Sequence, residues 1–224
     1  KASSDITTSL TGPITSSGPG ANTAGGEILI WSTGGNITLG TAVSANGNGT
    51  ASGALITITT DAVAGSVQVS AVSSTGGGGN AGSLVQINSG TGGTTQAGVT
   101  VITALSLKVI STGTVTLANN NAASNFAADL STAATTKNLT FNNTINLTVT
   151  TVGAALGDGT LGVTLAQKSG IQTGGGTITV TNTGTLSVDQ PVLSDAGTVA
   201  GGTIQLKASS DITTSLTGPI TSSG

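Results

Sequence analysis

The side chains that could do acid–base or nucleophilic chemistry are few in this sequence and far apart. It has no histidine and no cysteine, so catalysis would depend on carboxylates, hydroxyls or lysines. The acidic residues are Asp5, Glu27, Asp61, Asp129, Asp158, Asp189, Asp195 and Asp211. The basic residues are Lys1, Lys108, Lys137, Lys168 and Lys207. The nearest acids, Asp189 and Asp195, flank Pro191 as in a turn. We therefore predict no catalytic residues and no enzymatic activity.

The same residue types argue against a bound metal ion or cofactor. Zinc sites built from histidine or cysteine are excluded. The segment Gly157-Asp158-Gly159-Thr160-Leu161 is similar to one fragment of the Gly-Asp-rich nonapeptide that binds calcium in roll-type repeats. Such sites need consecutive copies, and a turn at Asp158-Gly159 explains the single fragment better. We predict no metal and no cofactor.

Composition narrows the partners and the fold class. Charged residues make up 6% of the chain and the net charge is −3, so nothing favours nucleic acid. No apolar run reaches the 18 residues of a membrane-spanning helix. Hydrophobic residues are 36% of the chain, and many are β-branched. This bias predicts an ordered all-β protein with a narrow core, because disordered chains have the opposite composition.

A long internal repeat organises the chain. Residues 1–18 and residues 207–224 have the same sequence, KASSDITTSLTGPITSSG, at a distance of 206 positions. The second copy directly follows Thr203-Ile204-Gln205-Leu206, which has the pattern of a strand. We expect one full repeat unit over 1–206, with 207–224 as the start of the next identical unit in a longer array.

A shorter period lies inside the long one. Segments with alternating apolar residues recur about every 29 residues. They begin near Ile28, Leu55, Leu84, Leu105, Leu139, Ile178 and Ile204. Most follow glycine, which supplies the conformations of tight corners. Alone, such a short strand is unstable, but stacked copies about 4.8 Å apart form a continuous apolar face. The pattern predicts a right-handed parallel β-helix, or β-solenoid, with about seven coils per repeat stacked end to end.

Two stretches break the spacing and predict protruding loops. They are residues 118–137, with a short helix around Asn125–Leu130, and residues 153–176. A different fold, two Ig-like domains of about 100 residues, would also fit a repeat of this length. We prefer the solenoid, because the chain has no tyrosine for a tyrosine corner and its spacing does not divide into seven-strand sandwiches.

The strand pattern resembles that of filamentous haemagglutinin-like adhesins and other giant β-strand-repeat surface proteins of bacteria. The matching stretches are Gly25–Ile30 with Gly35–Leu39, Gly175–Val180 with Gly184–Val188, and Gly201–Leu206. The resemblance implies a right-handed parallel β-helix, secretion, and a role in adhesion or surface architecture.

We expect a structural protein of an extracellular or cell-surface fibre, sheath or adhesin stalk. Its partners would be neighbouring repeats or subunits stacked head to tail, and in addition other fibres, cell surfaces or glycans. The alternative is a glycan-binding adhesin module that uses the loops at 118–137 or 153–176, with Trp31 and Phe126 as the available rings. Weaker alternatives are a polysaccharide-degrading β-helix enzyme and an ice-binding solenoid. The ice-binding alternative rests on four threonine pairs, Thr57/Thr59, Thr114/Thr116, Thr148/Thr150 and Thr177/Thr179.

Overall fold

In the computed structural model of this chain, short strands coil around one axis and pair in parallel with the strands of the next coil. The structure describes residues 1–77, 84–131, 136–153, 165–195 and 200–223. These residues form 23 strands and no α-helix. One sheet contains 21 of the strands, and the other two form a small antiparallel ribbon. The predicted all-β parallel solenoid is confirmed, and the Ig-like alternative is wrong, because its strands would pair antiparallel.

Each coil contributes one strand to each of three faces. The first face consists of β3 (Ile28–Ser32), β6 (Ile56–Thr60), β9 (Leu84–Ser89), the second half of β11 (Ile102–Ser111), the end of β12 (Val115–Leu130), β17 (Ile171–Thr173), β20 (Val192–Leu193) and β23 (Ile220–Thr221). The second face consists of β1 (Ile6–Thr8), β4 (Ile37–Leu39), β7 (Ser66–Val69), β10 (Gly93–Gln96), the start of β12, β13 (Leu139–Asn143), β18 (Ile178–Asn182) and β21 (Ile204–Ala208). The third face consists of β2 (Ile14–Thr15), β5 (Val43–Ser44), β8 (Val72–Ser74), the start of β11, the middle of β12, β14 (Leu147–Val149), β19 (Leu186–Val188) and β22 (Ile212–Thr214). The column is displaced at β12, because β14 pairs with Asn125 and Phe126, whose partners on the preceding coil belong to the first face.

The core is a set of apolar columns that run along the axis. In a strand, alternate side chains point to opposite sides, so a pattern such as Ile-Thr-Leu buries its first and third residues. On the second face, stacked strands place apolar side chains above one another, and the polar Thr94 of β10 takes the same position between Val67 and Val115. All of these side chains are fully buried. The apolar ones are Ile37, Val67, Val115, Leu139 and Ile178. Burial of each such side chain contributes about 1.5–3 kcal/mol.

Buried polar side chains close the corners between faces. In the first half of the repeat, the corner after the first face holds a hydroxyl, at Ser32, Thr60, Ser89 or Ser111. The Ser111 hydroxyl, for example, donates to the carbonyl of Gly113 and accepts from its N–H, both at 3.0 Å. In the second half, asparagines take this place on neighbouring coils, and the Asn143 amide donates to the Asn182 side-chain oxygen at 3.0 Å. Corner backbone groups that a strand cannot pair are satisfied in this way.

The predicted loop over 118–137 and the predicted helix around Asn125–Leu130 are wrong. Residues Val115–Leu130 form the continuous strand β12, which bends across all three faces. Its register with β13 shifts between Leu117 and Asn121, where the strand bends. The apolar alternation is hard to see because alanines occupy buried positions, and small side chains fit this short coil. Residues 132–135 of the predicted loop lie outside the described residues.

The second predicted loop, 153–176, contains an insertion with narrower limits. The chain leaves the solenoid after β14, forms β15 (Thr151–Val152), and returns through β16 (Lys168–Ser169), which pairs antiparallel with β15. Gly170 then turns with φ of 71°, a value that favours glycine, and leads into β17 of the first face. The insertion therefore ends before 171, and residues 154–164 lie outside the described residues.

Candidate functional site

The structure does not gather the acidic residues into one groove among the described residues. The Asp5 carboxylate accepts a hydrogen bond from the Asn36 backbone N–H at 2.7 Å, and the Asp189 carboxylate accepts one from the Ser187 hydroxyl at 2.8 Å. Asp158 lies outside the described residues. Within the described ranges, no group of three or more histidine, cysteine, aspartate or glutamate residues could hold a metal ion. These acids serve as local acceptors for neighbouring donors.

A group of charged and polar side chains lies on the outer side of the first face. It consists of Gln86, Lys108, Asp129 and Lys168, which we call the covered cluster. Gln86 and Lys108 pair in register on neighbouring coils, with their side chains directed away from the core. Both are nevertheless fully buried, and Asp129 is 7% exposed. The insertion contacts this part of the face and contributes to that burial.

Lys108 fastens the two ends of the insertion to the solenoid. Its ammonium donates hydrogen bonds to the carbonyls of Gly153, Leu165 and Ala166, at 3.0, 2.8 and 3.1 Å. One carbonyl precedes the 154–164 stretch and two follow it. An ammonium has three donors, so these three oxygens match its hydrogen-bonding capacity. Burial of a lysine is rare because the loss of hydration is costly, and three backbone acceptors compensate for it.

Asp129 and Lys168 form a second attachment. The Lys168 ammonium donates to Asp129 Oδ2 in a salt bridge, and Oδ1 accepts bonds from the Ser131 backbone N–H at 2.9 Å and from its hydroxyl at 2.5 Å. Burial alone would raise the pKa of Asp129. Hydrogen bonds from Lys168 and Ser131, with the positive charge of Lys168, outweigh it and hold the pKa below its ordinary value.

The chemistry of the covered cluster is that of attachment. The Lys108 donors point at carbonyls, and both oxygens of the Asp129 carboxylate accept hydrogen bonds, so neither is poised to exchange a proton with a substrate. This cluster is not predictable from the sequence, because Lys108 and Lys168 are 60 positions apart and each occupies an ordinary polar position of a strand pattern.

The two aromatic residues considered as glycan anchors have different environments. Phe126 is fully buried and stacks on Phe141 in the core, so its suggested role at the surface is wrong. Trp31 is half-buried, and its indole N–H donates to Asp61 Oδ2 at 2.8 Å. The Lys1 ammonium lies 3.8 Å from the centre of the Trp31 ring, a cation–π geometry.

The threonine pairs do not share one face. Thr57 and Thr59 lie on the first face and are 4% and 1% exposed, so these two are covered. Thr116 and Thr179 lie in one column of the second face, with Thr140 between them. The Thr148/Thr150 pair begins on a third-face strand. An ordered two-column threonine array, which ice binding would need, is thus interrupted.

The solenoid ends are built from the same repeated sequence. Near the N-terminal end, Ile6 of β1 pairs with Ile37 of the following coil. Near the other end, its sequence equivalent Ile212 pairs with Leu186 of the preceding coil. Ile6 is partly buried and Ile212 is 45% exposed. The same strand is therefore seen once with a neighbour on its C-terminal side and once with a neighbour on its N-terminal side.

The described part of the surface has shallow concavities. Two of them have volumes of about 220 and 170 Å³, one lined by Val99 and Asn119 and the other by Asp5 and Gly65, among others. Both are smaller than the roughly 300 Å³ at which ligand pockets usually start. No helix that is long and apolar enough to cross a membrane occurs in the described part of the chain.

Comparison with known proteins gives no family for this chain. No protein-family model, curated protein or solved structure matches it. The resemblance to filamentous haemagglutinin-like proteins therefore stays a prediction from the strand pattern.

Proposed function

We propose that this chain is a structural segment of an extracellular fibre, sheath or adhesin stalk, in which near-identical repeats stack end to end as one β-solenoid. One observation carries the proposal. Residues 1–18 and 207–224 have identical sequences, and their described residues, 1–18 and 207–223, form coils that pair with the rest of the solenoid on opposite sides.

The two sets of pairings are complementary. Ile6 and Ile14 pair with Ile37 and Val43 on the following coil. Their equivalents at the other end, Ile212 and Ile220, pair with the preceding coil and are each 45% exposed. In a tandem array this sequence would have neighbours on both sides, so its unpaired strand edges and exposed isoleucines would be covered together.

The rest of the described molecule agrees with a load-bearing role. Its polar side chains close corners and attach the insertion, and the Lys108 ammonium and the Asp129 carboxylate of the covered cluster have internal partners. Low charge and the absence of cysteine suit a secreted fibre that is stabilised by strand stacking instead of disulfides. A cell-surface location and a bacterial source follow from the resemblance alone.

The test uses proteins with one, two and three tandem copies of the 206-residue unit, each ending in the 18-residue overlap. Stacking predicts that the rod lengthens by about 35 Å per copy, measured by small-angle X-ray scattering. It also predicts that the unfolding midpoint in urea rises with copy number, since each copy adds an interface. If the units are independent, the unfolding midpoint will not change with copy number and the scattering will be that of a flexible chain of beads. That result would contradict the proposal.

A matched pair of substitutions isolates the interface. In the two-copy protein, Ile212→Asp introduces a charge at the junction, whereas Ile6→Asp makes the same change in the same sequence at the free end. We expect the junction variant to separate the rod into two units, because it buries an unpaired charge between coils. The end variant should fray one coil only. Equal effects of the two variants would argue against a packed junction.

A second candidate function is adhesion through the insertion between β14 and β17. Its support is the attachment by Lys108 and Lys168, which holds the described ends of the insertion at a fixed position on the first face. Replacement of residues 151–169 with a short glycine–asparagine turn should leave the rod intact. If the insertion binds a glycan or a cell surface, this variant loses binding on a glycan array or to cells. Binding that is retained in this variant would show that the insertion is not the binding site.

A further inference from the structure

The three columns of strands do not return to their own starting positions after one repeat. On the second face, pairing leads from Ile37 in β4 through successive coils to Ile204 in β21. The strand that would follow β21 can be identified from the start of the chain. Ala2 is the sequence equivalent of Ala208, the last residue of β21, and it pairs with Ser32, the last residue of β3.

The next copy would therefore place β3 on the column that ends in β21. In this chain, however, β3 belongs to the first face, whereas β21 belongs to the second. The column of the second face is thus continued by the first-face strands of the next copy. The same strand therefore lies on neighbouring faces of the solenoid in two consecutive copies.

The first-face column gives the same offset. Ile220 of β23 ends the column that passes through Ala128 and Ile171, and its equivalent Ile14 pairs with Val43 of the third face. Ile212 of β22 ends a column that leads back through β14 to Phe126, at the point where the end of β12 divides its pairing between β14 and β17. The offset is therefore traced on the second face and through Ala128, and it originates at β12.

The number of strand positions explains the offset. From β3 to β23 the repeat has 22 positions on the three faces, when β11 counts twice, β12 three times, and the β15–β16 ribbon is left out. Seven coils of three strands need 21. The extra position arises within the region of β11 and β12, where the coils are short and the long strands turn corners without a loop.

We propose that consecutive copies of the repeat are rotated about the fibre axis by one face, about a third of a turn, so that equivalent surface features follow a threefold screw around the fibre. The described ends of the insertion lie at one face in one copy and at the adjacent face in the next copy, and the orientation recurs after three copies. With a rise of about 4.8 Å per coil, the recurrence is about 105 Å, and neighbouring copies are about 35 Å apart.

This inference rests on the proposed tandem stacking. The last coil of each copy is the surface onto which the first coil of the next copy stacks, and the strands pair only when the next copy is rotated by one face. The register is set by pairing already present in the chain, Ala2 with Ser32 at one end and Asn182 with Ala208 at the other. Without this rotation, β3 of the next copy would not lie above β21. The corners and loops of the next copy would then lie above strands of the preceding copy.

The test uses a four-copy protein with Val63→Cys in every copy. Val63 is 83% exposed at the corner between β6 and β7, and the natural chain has no cysteine. The cysteines are labelled with maleimide-linked gold and located by electron cryo-microscopy, with the coil-to-coil twist measured in the same reconstruction. After correction for that twist, we expect adjacent labels to differ by about a third of a turn and the fourth label to lie above the first.

The outcomes separate the two proposals. Labels in a straight row at about 35 Å along a continuous rod would overturn the rotation but leave the proposed function intact. Labels on separately moving beads would overturn both. Val99→Cys is the matched control, because Val99 is 93% exposed at a different corner, between β10 and β11. Its labels should show the same steps, displaced around the axis relative to those at Val63.

Discussion

The rings of Phe126 and Phe141 stack in the core with centroids 4.2 Å apart and planes inclined by 10°. Phe126 belongs to the end of β12 on the first face, and Phe141 belongs to β13 on the second. Both are fully buried in an interior otherwise filled by aliphatic side chains. The pair bridges two faces inside the solenoid at the level where β12 bends across all three.

Truncation of this ring pair should destabilise the middle of the repeat. We expect Phe126→Ala to lower the free energy of unfolding by about 3–5 kcal/mol, because it leaves a cavity that a stacked sheet cannot close. Phe126→Leu is the control, since it keeps most of the apolar volume and should cost less. Urea unfolding monitored by circular dichroism measures both. Equal losses in the two variants would show that the cavity is not the cause.

The attachment of the insertion depends on Lys108. Lys108→Met keeps the apolar stem but removes the donors to the carbonyls of Gly153, Leu165 and Ala166. An unpaired buried carbonyl costs about 1–3 kcal/mol, so the insertion should detach while the strands remain paired. Hydrogen exchange should then become at least tenfold faster around 165–169 and stay unchanged in β4 and β7. Lys207→Met, at an exposed position, is the control and should change neither region.

The Asp129–Lys168 pair predicts a pH dependence. The pKa of Asp129 is lower in the folded state than in the unfolded chain, so its ionised form favours folding. This contribution is complete above the unfolded value of about 3.9 and is lost as pH falls from there through the folded pKa. We therefore expect the stability difference between the natural protein and Asp129→Asn to shrink between pH 5 and pH 2. A difference that stays constant over this range would contradict the assignment.

The corner asparagines should contribute more to stability than asparagines beside them. The Asn143 side chain, which is 2% exposed, accepts from the Ala123 N–H at 2.8 Å and donates to the Ile145 carbonyl at 2.7 Å. Asn143→Ala should cost about 2–4 kcal/mol, because it leaves the buried Ala123 N–H unpaired and removes the hydrogen bonds to Ile145 and Asn182. Asn142→Ala removes an outward side chain from the neighbouring position and should cost under about 1 kcal/mol. Thermal unfolding of the two variants compares them directly.

The sequence predicts the solenoid well where strand alternation is undisturbed. Segments such as Thr177–Val180 carry period-2 patterns with β-branched residues, and the structure places them in parallel columns. Prediction fails at β12, because Ala127 and Ala128 are buried next to each other and alternation disappears. Small residues can be buried on either side of a thin coil, so their identity does not show which way a strand faces.

The covered cluster could not be predicted for a different reason. Lys108 looks like an outward residue of β11, and its burial depends on an insertion whose ends lie 45 and 57 positions further along the chain. Contacts of this kind are set by the stacking of coils and not by local pattern. The mean spacing likewise predicts about seven coils, but no local pattern predicts that β12 crosses all three faces as one strand.

The parallel pairing of β3, β6 and β9 has a mechanical consequence. Hydrogen bonds between coils point along the solenoid axis, so tension along the axis acts directly on the bonds of one coil boundary at a time. Under tension the solenoid would unwind coil by coil from the end at which the force acts. Each released coil of about 28 residues would add about 95 Å to the length of the extended chain. Axial stretching would therefore give a series of small, regular extension steps, which lets a fibre absorb work gradually before it breaks.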